Sequence, residues 1–356
     1  MTINLIDYGL TTALNTQAAA FEGLAIGRVT AQHRNLYQVV TTTGDCQATV
    51  AGKFAYEKVA ATDFPAVGDW VMLTPSTDTA VIQHLLPRQS VLAREAVGNS
   101  SAGQVIAANI DTIFICMSLN ANFNVRRIER YLTMTWDSQA MPVIVLTKAD
   151  LCDDLPGKLA ALSAVSFGVD VVTCSAKTGV GYEDVAKYVT AGKTVAFIGS
   201  SGVGKSTLIN HLLGRELLAT KTIRADDDKG RHATTSRQLL RVPQGGMVID
   251  TPGMRELQLY TGDLDRTFAD IAALAMQCKF RDCTHTSEPG CAVQAALKSG
   301  SLSRDRLASY QKLQREMAYD GLTSRQRETE KVNRLFGGKN EMKQVIRQAK
   351  AKQRRR

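Results

Sequence analysis

The sequence predicts an α/β core, flanked by a small OB-like β-barrel before it and a short α-helical segment after it. Three observations carry that expectation. Residues 24–86 break into short β-rich runs separated by turn signals. From about 105 to 260, apolar strands alternate with helical stretches. Beyond 263 the pattern is helical only, around a crowd of three cysteines and a histidine. A chain of 356 residues suits two or three domains at about 150 residues each. Hydrophobic residues make up 44% and charged residues 22%, a globular composition that excludes disorder throughout.

The first part reads as five strands: Leu24–Thr30, Leu36–Thr42, Gln47–Ala51, Val67–Thr74 and Thr79–Leu86. Gly44-Asp45 and the stretch Pro65 to Gly68 punctuate them. Short strands at this spacing suit a small antiparallel barrel. OB-type barrels commonly bind oligonucleotides. An SH3-like barrel or a small sandwich fits the same pattern.

The second part alternates. Ile110–Met117 is an apolar strand, and Val125–Trp136 is helical with Ile128, Tyr131, Leu132 and Thr135 on one side. Pro142–Thr147, Val169–Thr173 and Thr194–Ile198 read as strands, Leu155–Val165 and Tyr182–Val189 as helices. Strand and helix in turn build a parallel sheet covered by helices, with ligand loops at the strand C-termini.

The last of those strands runs straight into Gly199-Ser200-Ser201-Gly202-Val203-Gly204-Lys205-Ser206, which matches GxxxxGK(S/T). Glycines let backbone N–H groups turn inward around phosphates, and the helix that opens at Thr207 adds positive potential. In such a loop Lys205 reaches the β- and γ-phosphates and the Ser206 hydroxyl ligates Mg²⁺. Asp250-Thr251-Pro252-Gly253 follows another apolar run, Gly246–Ile249. A carboxylate there holds Mg²⁺ through water, and the Gly253 N–H approaches the γ-phosphate. Thr147-Lys148-Ala149-Asp150 ends the strand Pro142–Leu146. A buried Asp150 accepts from guanine N1–H and its exocyclic amine, two donors that adenine lacks. The Lys148 stem covers the base face. Ser175-Ala176-Lys177 ends the next strand, where a backbone N–H meets guanine O6.

These motifs together resemble those of GTPases, but in an altered order. Ordinary GTPases run phosphate loop, switches, then base-reading motifs. Here TKAD and SAK precede the phosphate loop, a Thr-rich loop and DTPG. The chain resembles the RsgA (YjeQ/YloQ) family of circularly permuted bacterial GTPases. Lys229-Gly230-Arg231-His232-Ala233-Thr234-Thr235 is similar to that family's GRHTTT switch. The resemblance covers barrel, permuted GTPase core, zinc segment and basic C-terminus. It implies GTP hydrolysis to GDP and phosphate, stimulated by the small (30S) ribosomal subunit and acting in its late maturation, with 16S rRNA as partner. It points to His232 as a hydrolytic residue and to Thr235, ahead of Thr234, as the Mg²⁺ and γ-phosphate sensor.

Two departures stand out. Thr147 replaces the usual Asn of the base-reading motif, so its bond to the phosphate loop is expected to weaken. Met254 stands where many GTPases place a water-orienting Gln, so unaided hydrolysis is expected to be slow. A GTP-gated RNA-binding scaffold without turnover is the other reading.

Cys278, Cys283, His285 and Cys291 give C-x4-C-x-H-x5-C. Four N/S donors with no open position suit a closed structural Zn²⁺ site. The spacing also matches the RsgA-like pattern. Lys279, Arg281 and Lys298 lie close to it. Leu302, Leu307, Tyr310, Leu313 and Met317 form a helical stripe suited to core packing.

Charge is unevenly placed. The net charge is +9, and residues 325–356 hold 12 basic and 3 acidic residues, leaving 31 of each sign in 1–324. A basic arm on a neutral body suits nucleic acid. Met1 to Ala20 lacks a signal peptide's basic region and apolar core, and no apolar run approaches the roughly 18 residues of a membrane span. Seven cysteines, an odd number, suit a reducing compartment with one metal site. The expectation is a cytoplasmic monomer, without membrane contact, divided as 1–104 (barrel), 105–262 (GTPase), 263–324 (zinc domain) and 325–356 (tail).

Overall fold

The computed structural model describes residues 2–57, 60–95, 103–218, 237–251 and 261–318. The chain begins with two side-chain caps. Asn4 accepts from the Ile6 N–H, and Thr11 accepts from the Leu14 N–H to start α1 (Thr12–Ala18). Leu14 and Ala18 of α1 bury against the barrel's outer face beside Val40, Trp70 and Met72.

The barrel contains all five expected strands. They are β1 (Ala25–His33), β2 (Leu36–Thr41), β3 (Gly44–Val50), β4 (Trp70–Thr74) and β5 (Ala80–Leu85), with α2 (Gly52–Glu57) after β3. The ring runs β1-β2-β3-β5-β4 and closes through β1–β4; β3–β5 is parallel and the other pairings are antiparallel. That Greek-key closure is the OB type, so the SH3-like and sandwich alternatives fall away. Inward side chains alternate along the strands: Val29, Tyr37, Val39, Val71, Leu73 and Ile82 fill the interior. Neither α1 nor α2 is expected from the sequence. Each is under eight residues, too short to establish a 3.6 period.

A separate hairpin, β6 (Val91–Glu95) with β7 (Gly103–Ala108), follows the barrel. It is also unexpected, because its apolar residues read as the start of the core. Beyond it come β8 (Thr112–Ser118), α3 (Val125–Asp137), β9 (Met141–Thr147), α4 (Leu155–Ser163), β10 (Asp170–Thr173) and α5 (Tyr182–Ala186). Then follow β11 (Thr194–Ile198), α6 (Lys205–Leu213), β12 (Gln238–Arg241) and β13 (Met247–Asp250). The order is β10-β9-β8-β11-β13-β12, parallel except for β12. Both faces are buried, as such a sheet requires. Ile113, Ile115 and Met117 of β8 pack with α3 on one face, while Phe114 and Cys116 pack with α6 on the other.

Strand pairing and a buried arginine join barrel and core. Ala31 of β1 pairs with Gln238 of β12, making the sheets continuous. Beside that pair, Arg28 is 1% exposed. Its Nε donates to Gly68 O at 3.1 Å, its Nη2 to Asn109 O at 3.0 Å, and its Nη1 to Tyr8 O. Burial lowers its pKa to about 10, against the pull of Asp111 and Asp69. Gly68, at φ +94°, must be glycine, because a Cβ would sit 2.1 Å from Ala108 O.

The helical part contains α7 (Leu264–Thr267), α8 (Ala269–Ala275), α9 (Ala292–Ser299) and α10 (Arg304–Ala318). Leu302, Leu307 and Leu313 join the same core cluster as the α3 face, as the helical stripe predicts. Among the described residues no helix is long and apolar enough to cross a membrane. The basic arm 325–356 lies outside the described residues.

Replacing Arg28 by Met removes the donor to the Tyr8 and Asn109 carbonyls and one of the two donors to Gly68 O, which keeps Asn109 Nδ2 at 3.1 Å. Stability should fall by about 3 kcal/mol, read as a lower urea midpoint by far-UV circular dichroism. A loss under about 1 kcal/mol would mean that other donors reach those carbonyls.

Candidate active site and metal centre

β8, β9, β11 and β13 are parallel neighbours, so their C-terminal ends form one edge. The phosphate loop leaves that edge from β11. Gly199 has φ +146°, and a Cβ there would lie 2.4 Å from Cys116 O on the neighbouring strand. Gly202 and Gly204 have φ +78° and +101°. The third of these is the N-cap of α6, so the loop backbone turns directly onto a helix N-terminus. Ser200, Gly204, Ser206 and Thr207 are half-buried, Val203 is buried, and Ser201 and Gly202 face solvent at the loop's mouth.

Lys205 opens α6 and is 8% exposed. Its ammonium donates to Gly199 O at 2.6 Å and Ser200 O at 2.9 Å. Burial pulls its pKa down, partly offset by Cys116 and Asp250. Asp250 ends β13, also buried; burial pulls its pKa up and Lys205 pulls it down. Next to Asp250, the Thr251 hydroxyl donates to Phe197 O, which ties the DTPG motif to β11. Gly253, Met254, His232, Thr234 and Thr235 lie outside the described residues.

The base-reading loops are tied to one another and to the phosphate loop. Thr147 is buried, and its hydroxyl donates to Val203 O at 2.5 Å. The threonine hydroxyl thus makes one bond to the phosphate loop where the usual amide is missing. Lys148 has φ +58°, a left-handed turn that starts the short helical turn Ala149–Leu151. Ala149 N–H donates to Cys174 O at 3.1 Å, and Ser175 Oγ donates to Asp150 Oδ1 at 2.5 Å. Asp150 itself is exposed, not buried as the guanine argument assumed. Ala176 and Lys177 are exposed on the loop beside it. Gly181, at φ +81°, closes that loop, since a Cβ would meet Thr173 O at 1.9 Å.

The four predicted metal ligands come together. Their donor atoms all lie within 4.8 Å of one another. His285 Nδ1 is 3.7 Å from Cys278 Sγ and 3.5 Å from Cys291 Sγ, and those two sulfurs are 3.8 Å apart. Bonds of about 2.3 Å to sulfur and about 2.0–2.1 Å to nitrogen give a tetrahedron with edges of that size, so the donor set fits one. Two further contacts hold the loop. Gln294 Nε2 donates to His285 O at 2.6 Å. Glu288 accepts from the N–H groups of Thr284, Thr286 and Ser287 at 2.9–3.0 Å. Those bonds, with the Thr284 hydroxyl first, hold its carboxyl well below the usual range. Neither Gln294 nor Glu288 is marked by the sequence, which shows ligand spacing and not what braces it.

The phosphate loop, the Asp250 carboxylate and the TKAD loop on one sheet edge, in permuted chain order, define a circularly permuted P-loop GTPase. Comparisons with known proteins agree. The RsgA GTPase family model matches residues 85–260. An ABC transporter model matches 182–349, a stretch that includes the phosphate loop. "Small ribosomal subunit biogenesis GTPase RsgA 2" of Lactiplantibacillus plantarum is 64% identical over 346 residues, 97% of this chain and 98% of its own. The similarly named RsgA protein of Opitutus terrae is 44% identical over 316 residues, 85% of this chain and 86% of its own. The crystal structure of YjeQ from Thermotoga maritima superposes with a TM-score of 0.61 at 28% identity, covering 83% of this chain and 99% of that one. YloQ, described as a circularly permuted GTPase, gives 0.60 at 24% identity over 83% and 96%, a likeness of fold. The chain belongs to the RsgA GTPase family.

The Thr147 bond is testable. Thr147→Val keeps the volume and removes the hydroxyl. It should weaken GDP binding about tenfold by titration calorimetry, about 1.4 kcal/mol, while Thr147→Ser stays within about twofold. Equal affinity in all three proteins would mean the tether contributes nothing.

Proposed function

We propose that this protein hydrolyses GTP to GDP and phosphate on the small (30S) ribosomal subunit, in late maturation of that subunit, with 16S rRNA as its contact. The observation that carries the catalytic half is the buried Lys205 and Asp250 beneath the phosphate loop, with the base-reading loop bonded to that same loop. The ribosomal half is supported by the printed name of a relative that is 64% identical over 97% of this chain.

In this reading the loop amides from Gly199 to Ser206 cradle the phosphates, and Lys205 moves from its carbonyl partners to the β- and γ-phosphate oxygens. Ser206 and Asp250 hold Mg²⁺, which when bound neutralises charge on those oxygens. Thr235 senses the γ-phosphate, His232 orients the attacking water, and the Gly253 N–H approaches the γ-phosphate. Asp150 reads the guanine edge, the Lys148 stem covers the ring, and the loop at Ser175, Ala176 and Lys177 meets O6. Cys278, Cys283, His285 and Cys291 hold one structural Zn²⁺. The work divides as 1–104 for the OB-like barrel, 105–262 for GTP, 263–324 for the zinc domain and 325–356 as an rRNA-binding arm. The protein acts as a cytoplasmic monomer away from membranes.

The test is hydrolysis with and without small subunits, GTP against ATP, at two salt concentrations. Stimulation should be specific to GTP, and His232→Ala should abolish most of it. Without stimulation, a GTP-gated scaffold replaces this reading. Deleting 325–356 should weaken subunit binding and flatten its salt dependence, because fewer phosphate contacts release fewer counterions. An unchanged slope would remove the arm from the rRNA contact.

A further inference from the structure

One helix touches both the phosphate loop and the helical domain. At one end of this chain of contacts is Arg306, on the first turn of α10 and 3% exposed. Its Nε and Nη2 donate to the two Asp270 carboxylate oxygens at 3.1 and 2.9 Å, and Nη2 also donates to Thr267 O at 2.9 Å. The guanidinium lies over the Phe268 ring, 4.3 Å from its centroid. Its remaining nitrogen, Nη1, leaves the helical domain and donates to Glu129 Oε1 on α3 at 2.6 Å. Glu129 is fully buried and also accepts from Arg126 Nη1 at 2.7 Å and from Ser309 Oγ at 2.5 Å. The next residue of α3, Arg130, reaches Glu316 on α10 at 2.7 Å.

The opposite contact of α3 is with the nucleotide site. Tyr131 is 1% exposed and packs in one apolar cluster with Ile198, the strand residue that leads into the phosphate loop, and its hydroxyl lies beside the Ser200 side chain. The Ser200 carbonyl is one of the two that hold Lys205. The chain that follows DTPG also lands on α3. Asp263 N–H donates to Thr133 O at 3.1 Å, and the Thr261 hydroxyl donates to Asp137. Gly262 between them has no room for a side chain, since a Cβ would lie 2.5 Å from Thr133 Cγ2.

We propose that Glu129 and Arg306 are positioning residues that couple the helical domain to the phosphate loop through α3. A 13-residue helix packed on the sheet moves as a body, so displacement at Ser200 is carried to Glu129. A buried carboxylate bonded to a guanidinium keeps that geometry or loses it outright, because an unpaired charge is costly there. Coupling of this kind is reciprocal: whatever holds the helical domain biases the phosphate loop. The inference rests on the guanine-nucleotide reading and adds a route separate from the DTPG segment.

The test is hydrogen exchange in the α10 amides of the full chain, with GDP and with a non-hydrolysable GTP analogue. Nucleotide affinity is measured on the same samples. The wild type should exchange at least threefold differently in the two states. Glu129→Gln with Arg306→Met removes both facing charges together, and should bind nucleotide within about twofold while losing that difference. Should the pair unfold the helical domain, Tyr131→Phe breaks the link at the other end with the ion pairs intact, and should at least halve the difference. A difference that persists in the paired variant, or in Tyr131→Phe, overturns the coupling. So does a wild type that binds both nucleotides with no difference in α10. A wild type that binds neither nucleotide overturns the underlying nucleotide reading instead.

Discussion

The parallel pairing of β11 between β8 and β13 is the constraint on which the remaining chemistry depends. Parallel strands end on the same side. The phosphate loop from β11, Asp250 from β13, α3 from β8 and Thr147 from β9 therefore share one edge, whatever their order along the chain. This explains how a permuted sequence keeps a GTPase site. Permutation changes which loops are cut and joined, but leaves the sheet order and the strand ends in place. The close approach of Gly199 to the Cys116 carbonyl is the local cost of that packing, and only a residue without Cβ meets it.

Two buried arginines do different work at the borders of this core. Arg28 is held mainly by backbone carbonyls from three separate segments, at Tyr8, Gly68 and Asn109. It ties the N-terminal segment, the barrel and the hairpin exit into one unit. Arg306 is instead held by carboxylates from two helices, Asp270 of α8 and Glu129 of α3. Carbonyl dipoles satisfy a guanidinium without balancing its charge, which is why burial depresses the Arg28 pKa; the carboxylates outweigh burial at Arg306 and raise it. The first arrangement is a fixed joint. The second is charge-balanced, with one partner on a helix that also touches the phosphate loop.

Much of the site was legible because its motifs are local. A glycine loop, a cysteine spacing and an aspartate after an apolar run each occupy a few consecutive residues, and their chemistry follows from residue type. Five barrel strands and the strand–helix alternation were legible for the same reason: burial alternates with period 2 or 3.6 along one segment. The short helices α1 and α2 and the hairpin β6–β7 were not, since their patterns are too brief to separate from their surroundings. The partner of Thr147 was not legible. Residue type said that an amide was missing, while the distance to Val203 O showed that a hydroxyl reaches.

The amino-acid sequence by itself determined the class of chemistry: phosphate loop, guanine-reading motif, Cys₃His donor set and a charge excess confined to the last 32 residues. Only the tertiary structure decided that the barrel closes as an OB fold and joins the core through Ala31 and Gln238. It alone brought Glu129 and Arg306, 177 residues apart, within 2.6 Å. The division has one physical cause. Motif chemistry is set by neighbours along the chain. Pairing between strands and burial of charge depend on partners that the chain supplies from far away, and those partners leave no local pattern.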